Sequence, residues 1–387
     1  MEPRIRYALI ILFLLLFIFV EASENQKPAW KGKIETENGI KVVKNPAQPL
    51  YGEFSFDLQE DLKIGGDPTA EAYYFPKGAA VRPDNKGNMF VADFGNKRVQ
   101  MYDPVGQFVR TIGRQGQGPG EYQFPNQVLF DTEGDCIVYA ATELVVFAPD
   151  GTFKKKINLR TFLNRLAIGP GGLIIGTTQP SPRDGWKQKI VQVDSQGTSV
   201  QSIAEYRGEF GESLKGFVLH WYTSDIAFSP LTSDAFAYGF SSTYRIHVAD
   251  ASGRTVFIIA MDEKPLSISG KEKEATRKDG YFAWYGKTDK PGEDAVFPDH
   301  RPYFSTMQND DRGRLYVIRL KSILDRDGPQ AIDVFSKDGI FLYRMSLPFV
   351  PSVIRNGDLY YIRTDKDTGE YFVVRFKIKN WEAMKAI

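Results

Sequence analysis

Phe75–Pro125 reads FPKGAAVRPDNKGNMFVADFGNKRVQMYDPVGQFVRTIGRQGQGPGEYQFP. Short runs rich in β-branched and aromatic residues alternate with PDNKG, DFGNK and DPVG. This is the pattern of four strands joined by tight turns, because Gly, Asp, Asn and Pro supply the backbone geometry that a reversal needs. A Gly-rich lead, Gly113–Gly120, then carries the chain to a second Phe-Pro at Phe124–Pro125.

Weaker copies follow. An inner hairpin recurs at 79–93, 128–140, 166–177, 226–239, 307–319 and 353–363, and an outer hairpin at 99–112, 144–157, 190–203, 246–259 and 332–345. The outer turns carry Gly106, Gly151, Gly197, Gly253 and Gly339, spaced by 45, 46, 56 and 86 residues. One inner and one outer hairpin make a four-stranded antiparallel unit, and a period near 45 with four strands per unit is the propeller signature. The sixth inner hairpin is followed by a single strand in EYFVVRFKIKNW before the sequence ends. The missing strand has a donor in Tyr51–Ile64, so the expected fold is all-β: a six-bladed β-propeller, four antiparallel strands per blade. An N-terminal strand completing the last blade closes the ring and removes its open edges.

NMFVADFGNKRVQMYDPVGQFVRTIG resembles an NHL repeat, with Asp93, Gly95, Asn96, Arg98, Val99, Gly106 and Gly113 matching that pattern. The match is partial at VVFAPDGTF and DVFSKDG. From about residue 50 to 382 the chain is similar to extracytoplasmic bacterial six-bladed propellers of unassigned function. Asp93 and Asn96 are expected to brace their turn through local backbone amides. The fold alone implies no activity.

The chain has 387 residues with 49 basic and 48 acidic side chains. That balance argues against nucleic acid, whose phosphates select a basic surface. Its one cysteine, Cys136, can form no intrachain disulfide and reads as a buried strand residue. Arg4 and Arg6 precede the apolar run Tyr7–Val20, and Ala22 completes a V-x-A site. Residues 1–22 are therefore expected to be a signal peptide, with an uncleaved anchor as the alternative. The expected location is extracytoplasmic, periplasmic or secreted, with membrane contact only through an uncleaved N-terminus. Residues 23–48 are expected as a polar lead-in, and 49–387 as the propeller with an insertion at about 264–301.

Two regions are candidates for a site. The insertion has a helix-forming stretch capped at Ser269, then Phe282, Trp284, Tyr285, Phe297, Tyr303 and Phe304, which could cap a channel or pack on blade edges. The starts of the innermost strands (FPKG, FPNQ, FLNR, YTSD, YFST, VPSV) converge at one channel mouth in a propeller. There Lys77, Asn126, Asn164, Arg165, Ser224 and Ser305, rimmed by Tyr222 and Tyr303, would form a polar ring for a ligand or for ordered water.

No catalytic residue, metal or cofactor is assigned. Of the three histidines, His247 lies in an alternating strand and reads as structural. His220 and His300 flank strand entries in adjacent repeats and could approach each other, but two are too few for a catalytic zinc site without a carboxylate partner. This also separates the chain from the amidating lyase of this superfold, which relies on several histidines. TDKDTGE at 364–370 reads as a hairpin tip rather than a calcium loop. GQGPG at 116–120 has the wrong spacing for a dinucleotide fingerprint, and no nucleophile elbow occurs. The expectation is a monomeric, exported, non-catalytic module binding a protein, peptide or glycan. The alternatives are a propeller hydrolase or lyase with a channel-mouth site, and a ligand-sensing module.

Overall fold

The second strands of the first two blades, Met89–Asp93 (MFVAD) and Cys136–Ala140 (CIVYA), are buried along their whole length. A strand reads this way when both faces of its sheet are covered. The outer strand Phe108–Ile112 (FVRTI) is exposed except at its last residue, as an edge facing solvent should be.

The computed structural model describes residues 28–181, 185–194, 196–197, 200–208, 221–278 and 296–385. Contacts divide the chain between Lys31 and Gly32, and the fold described is that of residues 32–387. Six blades, each built on four antiparallel strands, follow one another. Blade 1 is Ala79–Pro83, Met89–Asp93, Arg98–Tyr102 and Phe108–Ile112; blade 2 runs from Pro125 to Asn158, blade 3 from Leu163 to Arg207, and blade 4 from Ile226 to Met261. Blade 5 runs from Phe304 to Leu347, and blade 6 is Val353–Arg355, Asp358–Thr364, Tyr371–Ile378 and, from the other end of the chain, Leu58–Ile64. Consecutive inner strands touch through all six blades, and Asp358–Thr364 of blade 6 touches Ala79–Pro83 of blade 1, so the ring is closed.

The core is distributed between the blades. One apolar cluster fills each of the six gaps, such as Phe90, Ala92 and Val99 of blade 1 against Val128, Val138 and Val145 of blade 2. Each fully buried Val, Leu, Ile or Phe is worth about 1.5–3 kcal/mol. These gaps therefore hold blade to blade, where no ladder hydrogen bonds run.

Leu58–Ile64 pairs antiparallel with Val373–Ile378, as the sequence predicts. The donated stretch is nevertheless split. Glu53–Phe54 pairs in parallel with Arg344–Met345 and adds a fifth strand to blade 5.

The stretch expected as a polar lead-in differs more. Lys33–Glu37 and Ile40–Asn45 form a hairpin turning at Asn38 and Gly39, both at positive φ. Its second strand pairs in parallel with Phe257–Met261, extending blade 4 to six strands, and Val42 and Val43 are fully buried. The polarity that suggested a loose segment belongs to Lys33–Glu37, the outermost strand, which keeps its charges in water.

The antiparallel order gives the ring two unlike faces. One, the turn face, holds short turns built alike: Asp84, Asp103, Asp131, Asp250 and Asp310 each accept from the backbone N–H groups two and four residues on. Asp365 accepts from the amides of Asp367 and Thr368, which makes 364–370 a hairpin tip. The other, the mouth face, is where inner strands begin, and it carries the longer connections, including the insertion.

Candidate functional site

The inner strands of blades 2, 3 and 5 share an irregularity at their first turn of chain. The pairing register shifts between Pro125 and Gln127, between Leu163 and Arg165, and between Phe304 and Thr306. The residues left over are Asn126, Asn164 and Ser305. A bulge leaves its extra residue outside the ladder and bends the strand, so the side chains of Asn126 and Asn164 are released into the channel, while Ser305 turns back onto its own blade. Asn126, Asn164 and Arg165 line a 410 Å³ cavity running down the axis, together with Thr306, Gln308 and Asn309 of blade 5. Arg165 donates to the Thr306 hydroxyl across the channel at 2.9 Å.

Gln127, just past its bulge, and Gln308 tie neighbouring blades together. Gln127 donates from its amide to the Leu166 carbonyl at 2.8 Å and accepts from the Leu166 amide at 3.4 Å. Gln308 donates to the Pro351 carbonyl at 3.3 Å. These bonds satisfy inner-strand backbone groups that would otherwise face the channel. Asp225 stands at the start of the blade 4 inner strand. Surrounding protein pushes its carboxyl above the usual range, and Arg165 and the Ile226 amide counter this in part.

The remaining residues of the expected ring lie elsewhere. Lys77 is exposed on the mouth face of blade 1. Ser224 is buried, with its carbonyl accepting from Gln188 at 3.4 Å. The Ser305 hydroxyl donates to the Ile318 carbonyl at 3.4 Å. Tyr222 accepts from the Ile323 amide at 2.9 Å and Tyr303 donates to the Glu263 carbonyl at 2.9 Å, so both phenols brace mouth-face loops.

The insertion is anchored there too. Ser269 and Glu272 form a reciprocal capping box at the start of the helix Gly270–Lys278. Glu272 also accepts from Ser322 at 2.5 Å and from Arg301 at 3.1 Å. Burial opposes its charge, but these donors outweigh burial and hold its carboxyl below the ordinary value. Phe297 packs under Lys273 and Arg277. The insertion's Phe282, Trp284 and Tyr285, and His220, lie outside the described residues. His247 sits in blade 4, stacked on Tyr238 at 5.1 Å, its pKa lowered by burial and by Arg245. His300 is exposed. Burial pushes the Cys136 thiol well up, which makes it unreactive at neutral pH. Among the described residues no group of three or more His, Cys, Asp or Glu side chains is placed to hold a metal ion.

Several exposed large apolar side chains lie on the same face, and others, such as Phe108, Val109 and Val256, lie on the outer strands. Phe94, Phe124, Phe162, Leu324 and Val350 all sit on connections at the ends where inner strands begin, whereas Val105 stands on the turn face. The Lys97 ammonium lies 4.8 Å from the Phe124 ring centroid. Missed in the sequence were Arg82, Arg355 and Asn309, which line a second cavity of 200 Å³ toward the turn face.

Comparison with known proteins agrees with this fold. A family model, DUF5128, described as a 6-bladed beta-propeller, matches residues 81–244. This chain is a six-bladed propeller. No curated protein matches it in sequence. The crystal structure of a DUF4221 family member from Bacteroides vulgatus is similar at TM-score 0.50 and 13% identity, covering 84% of this chain and 98% of that one. A candidate exported protein from Bacteroides fragilis gives TM-score 0.49 at 12% identity, covering 87% and 99%. A gluconolactonase from Xanthomonas campestris gives TM-score 0.40 at 12% identity, covering 82% and 95%. At such identities the likeness speaks for the fold alone. Among the described residues, no helix of the propeller is long and apolar enough to cross a membrane.

Proposed function

We propose that this propeller is an exported, non-catalytic binding module that takes a protein, peptide or glycan partner on its mouth face. The observation that carries the reading is the pairing of two features on that face. Exposed Phe124 and Phe162 precede the inner strands whose bulges release Asn126 and Asn164 into the channel, and exposed Phe94 stands on the same face in blade 1. Aromatic anchors with adaptable amide donors and acceptors are the composition of a recognition surface. The side chains converging at the mouth are mainly amide, hydroxyl and guanidinium. An active site for hydrolysis or elimination gathers paired acids, bases or a metal. Among the described residues lining the axial cavity none is a carboxylate, and Asp225 stands near it, within reach of the Arg165 charge. Export rests on the basic start, the apolar run Tyr7–Val20 and the small residue Ala22.

Native mass spectrometry of the mature protein purified from its own source tests this. The expected result is a retained species that is lost in the triple variant Phe94→Ser, Phe124→Ser, Phe162→Ser and weakened in Asn126→Ala, Asn164→Ala. Turnover of an ester, lactone or glycoside by the purified protein, abolished by Asn164→Ala, would overturn the reading in favour of a channel-mouth hydrolase or lyase.

A further inference from the structure

At the turn-face end of the channel, blades 6 and 1 bring two arginines into one cavity. Arg82 is the fourth residue of the inner strand Ala79–Pro83, and Arg355 is the last of Val353–Arg355. Both line the 200 Å³ space, and Arg82 lines the axial cavity as well. The Arg82 guanidinium makes no hydrogen bond or ion pair with any described residue. Burial and the charge of Arg355 bring its pKa down to about 10, and no carboxylate offsets them. Arg355 donates from Nη2 to the Asn85 side chain across the blade boundary, while its buried Nε has no partner.

The acidic residues bordering this space have other partners. Asp310 accepts from Arg314 Nε at 2.6 Å, from the Tyr316 hydroxyl at 2.9 Å and from two backbone amides. Asp311 accepts from the Asn356 amide at 2.6 Å. The fold thus holds two guanidiniums, Arg82 half-buried, around a space in which neither is paired with a carboxylate among the described residues. Like charges in a low-dielectric wall repel, and an arginine stays protonated at neutral pH even with a lowered pKa. Asp311 at the same wall sets one negative charge against two positive ones, so a bound anion would complete the neutralisation. The guanidinium fork offers paired N–H donors at the spacing of two oxygens on one atom, so the matching ligand is an oxyanion. Asn309 adds a side-chain amide at the same wall. The volume is below the roughly 300–1,000 Å³ of a drug-sized ligand pocket, which limits the occupant to a small group.

We propose that Arg82 and Arg355 form an oxyanion-binding site at the turn-face end of the channel, taking a carboxylate or a tetrahedral oxyanion such as phosphate or sulfate. It lies at the other end of the channel from the mouth, and holds or fails independently of the partner reading above.

The test is thermal unfolding and titration calorimetry of the mature protein with sodium phosphate, sodium sulfate or sodium acetate, at constant ionic strength set with chloride. The expected result is a saturable rise in melting temperature for wild type with at least one of these anions. Arg82→Gln and Arg355→Gln should each weaken that binding at least tenfold, and Arg82→Lys, which keeps the charge and loses the fork, should fall between. Arg82→Gln should also melt above wild type in low salt without oxyanion, which a purely structural arginine would not do. If Arg82→Gln fails to fold, Arg355→Gln and Arg82→Lys carry the comparison. A preference for phosphate and sulfate over acetate assigns a tetrahedral ligand, and the reverse a carboxylate. A rise that only tracks ionic strength, saturation by chloride alone, or equal binding by wild type and the folded variants overturns the proposal.

Discussion

Asp93 shows how much one side chain can hold in a blade. It is fully buried and accepts from the Asn96 amide at 3.1 Å, the Asn96 side chain at 2.8 Å and Arg98 Nε at 3.0 Å. Arg98, itself buried, reaches on to Glu71 and to the Tyr74 carbonyl, in the connection between blade 6 and blade 1. Asp93→Asn keeps the shape but removes the charge and turns a donor toward two donors. Leaving Arg98 buried without its carboxylate is expected to cost about 3–5 kcal/mol, read as a lower urea midpoint at unchanged slope. Glu71→Ala, which removes the exposed partner of the same arginine, should cost under about 1 kcal/mol; equal losses in the two variants would refute this division. The turn was legible because its bonds span three to five residues of a recognisable motif. The clamp on 71–74 was not, since nothing local marks which distant carbonyls an arginine will meet.

The hairpin 33–45 shows the same contrast between elements. Asn38-Gly39 between two β-compatible runs is a strong hairpin signal, and the charge of KIETE masked it. What fixes the hairpin to the ring is Asn45, buried at the end of its second strand. Its side chain donates to the Gly339 carbonyl at 2.8 Å and accepts from the Phe341 amide at 2.8 Å, joining the outer edge of blade 4 to the Gly339 turn of blade 5. Asn45→Ala strands a buried donor and acceptor, each worth about 1–3 kcal/mol when left unsatisfied. The expected outcome is a clear loss of stability, with faster hydrogen exchange at the Phe341 amide. Lys44→Ala, one residue before, breaks surface pairs with Glu35 and Glu37 and should change stability by under about 1 kcal/mol. The bulges at Asn126, Asn164 and Ser305 were out of reach for another reason. A period-two pattern identifies a strand, but it does not say where one residue is left over, so the sequence placed these three at the mouth without showing that Asn126 and Asn164 enter the channel while Ser305 bonds back to the Ile318 carbonyl.

At the scale of the ring, the blade number was legible because turn glycines repeat at a near-constant spacing, and closure because an odd strand was left at each end. The contents of the channel were not: Arg82 and Arg355 come from opposite ends of the domain and meet only when the ring shuts. That shutting rests on Leu58–Ile64. Ile64 packs with Phe75, Val81 and Met89 on one side and Tyr360 and Val373 on the other. Asp61 accepts from Arg375 at 3.0 and 2.8 Å. Gly106 comes against this strand at φ +84°, where a Cβ would lie 2.7 Å from Leu62 Cδ1. Ile64→Ala should cost roughly 2–5 kcal/mol by leaving a cavity in this one gap, while unfolding remains a single transition. Deleting Tyr51–Ile64 acts differently. It exposes the ladder edge of Tyr371–Ile378 and opens the gap between blades 6 and 1, so those two blades lose protection before the others. Thermal unfolding should then broaden or split, with hydrogen exchange rising first in Tyr371–Ile378 and Ala79–Pro83. A sharp, unshifted transition in the deletion variant would mean that five complete blades hold the ring without the strand. Interblade packing, rather than the donated strand, would then be what closes it.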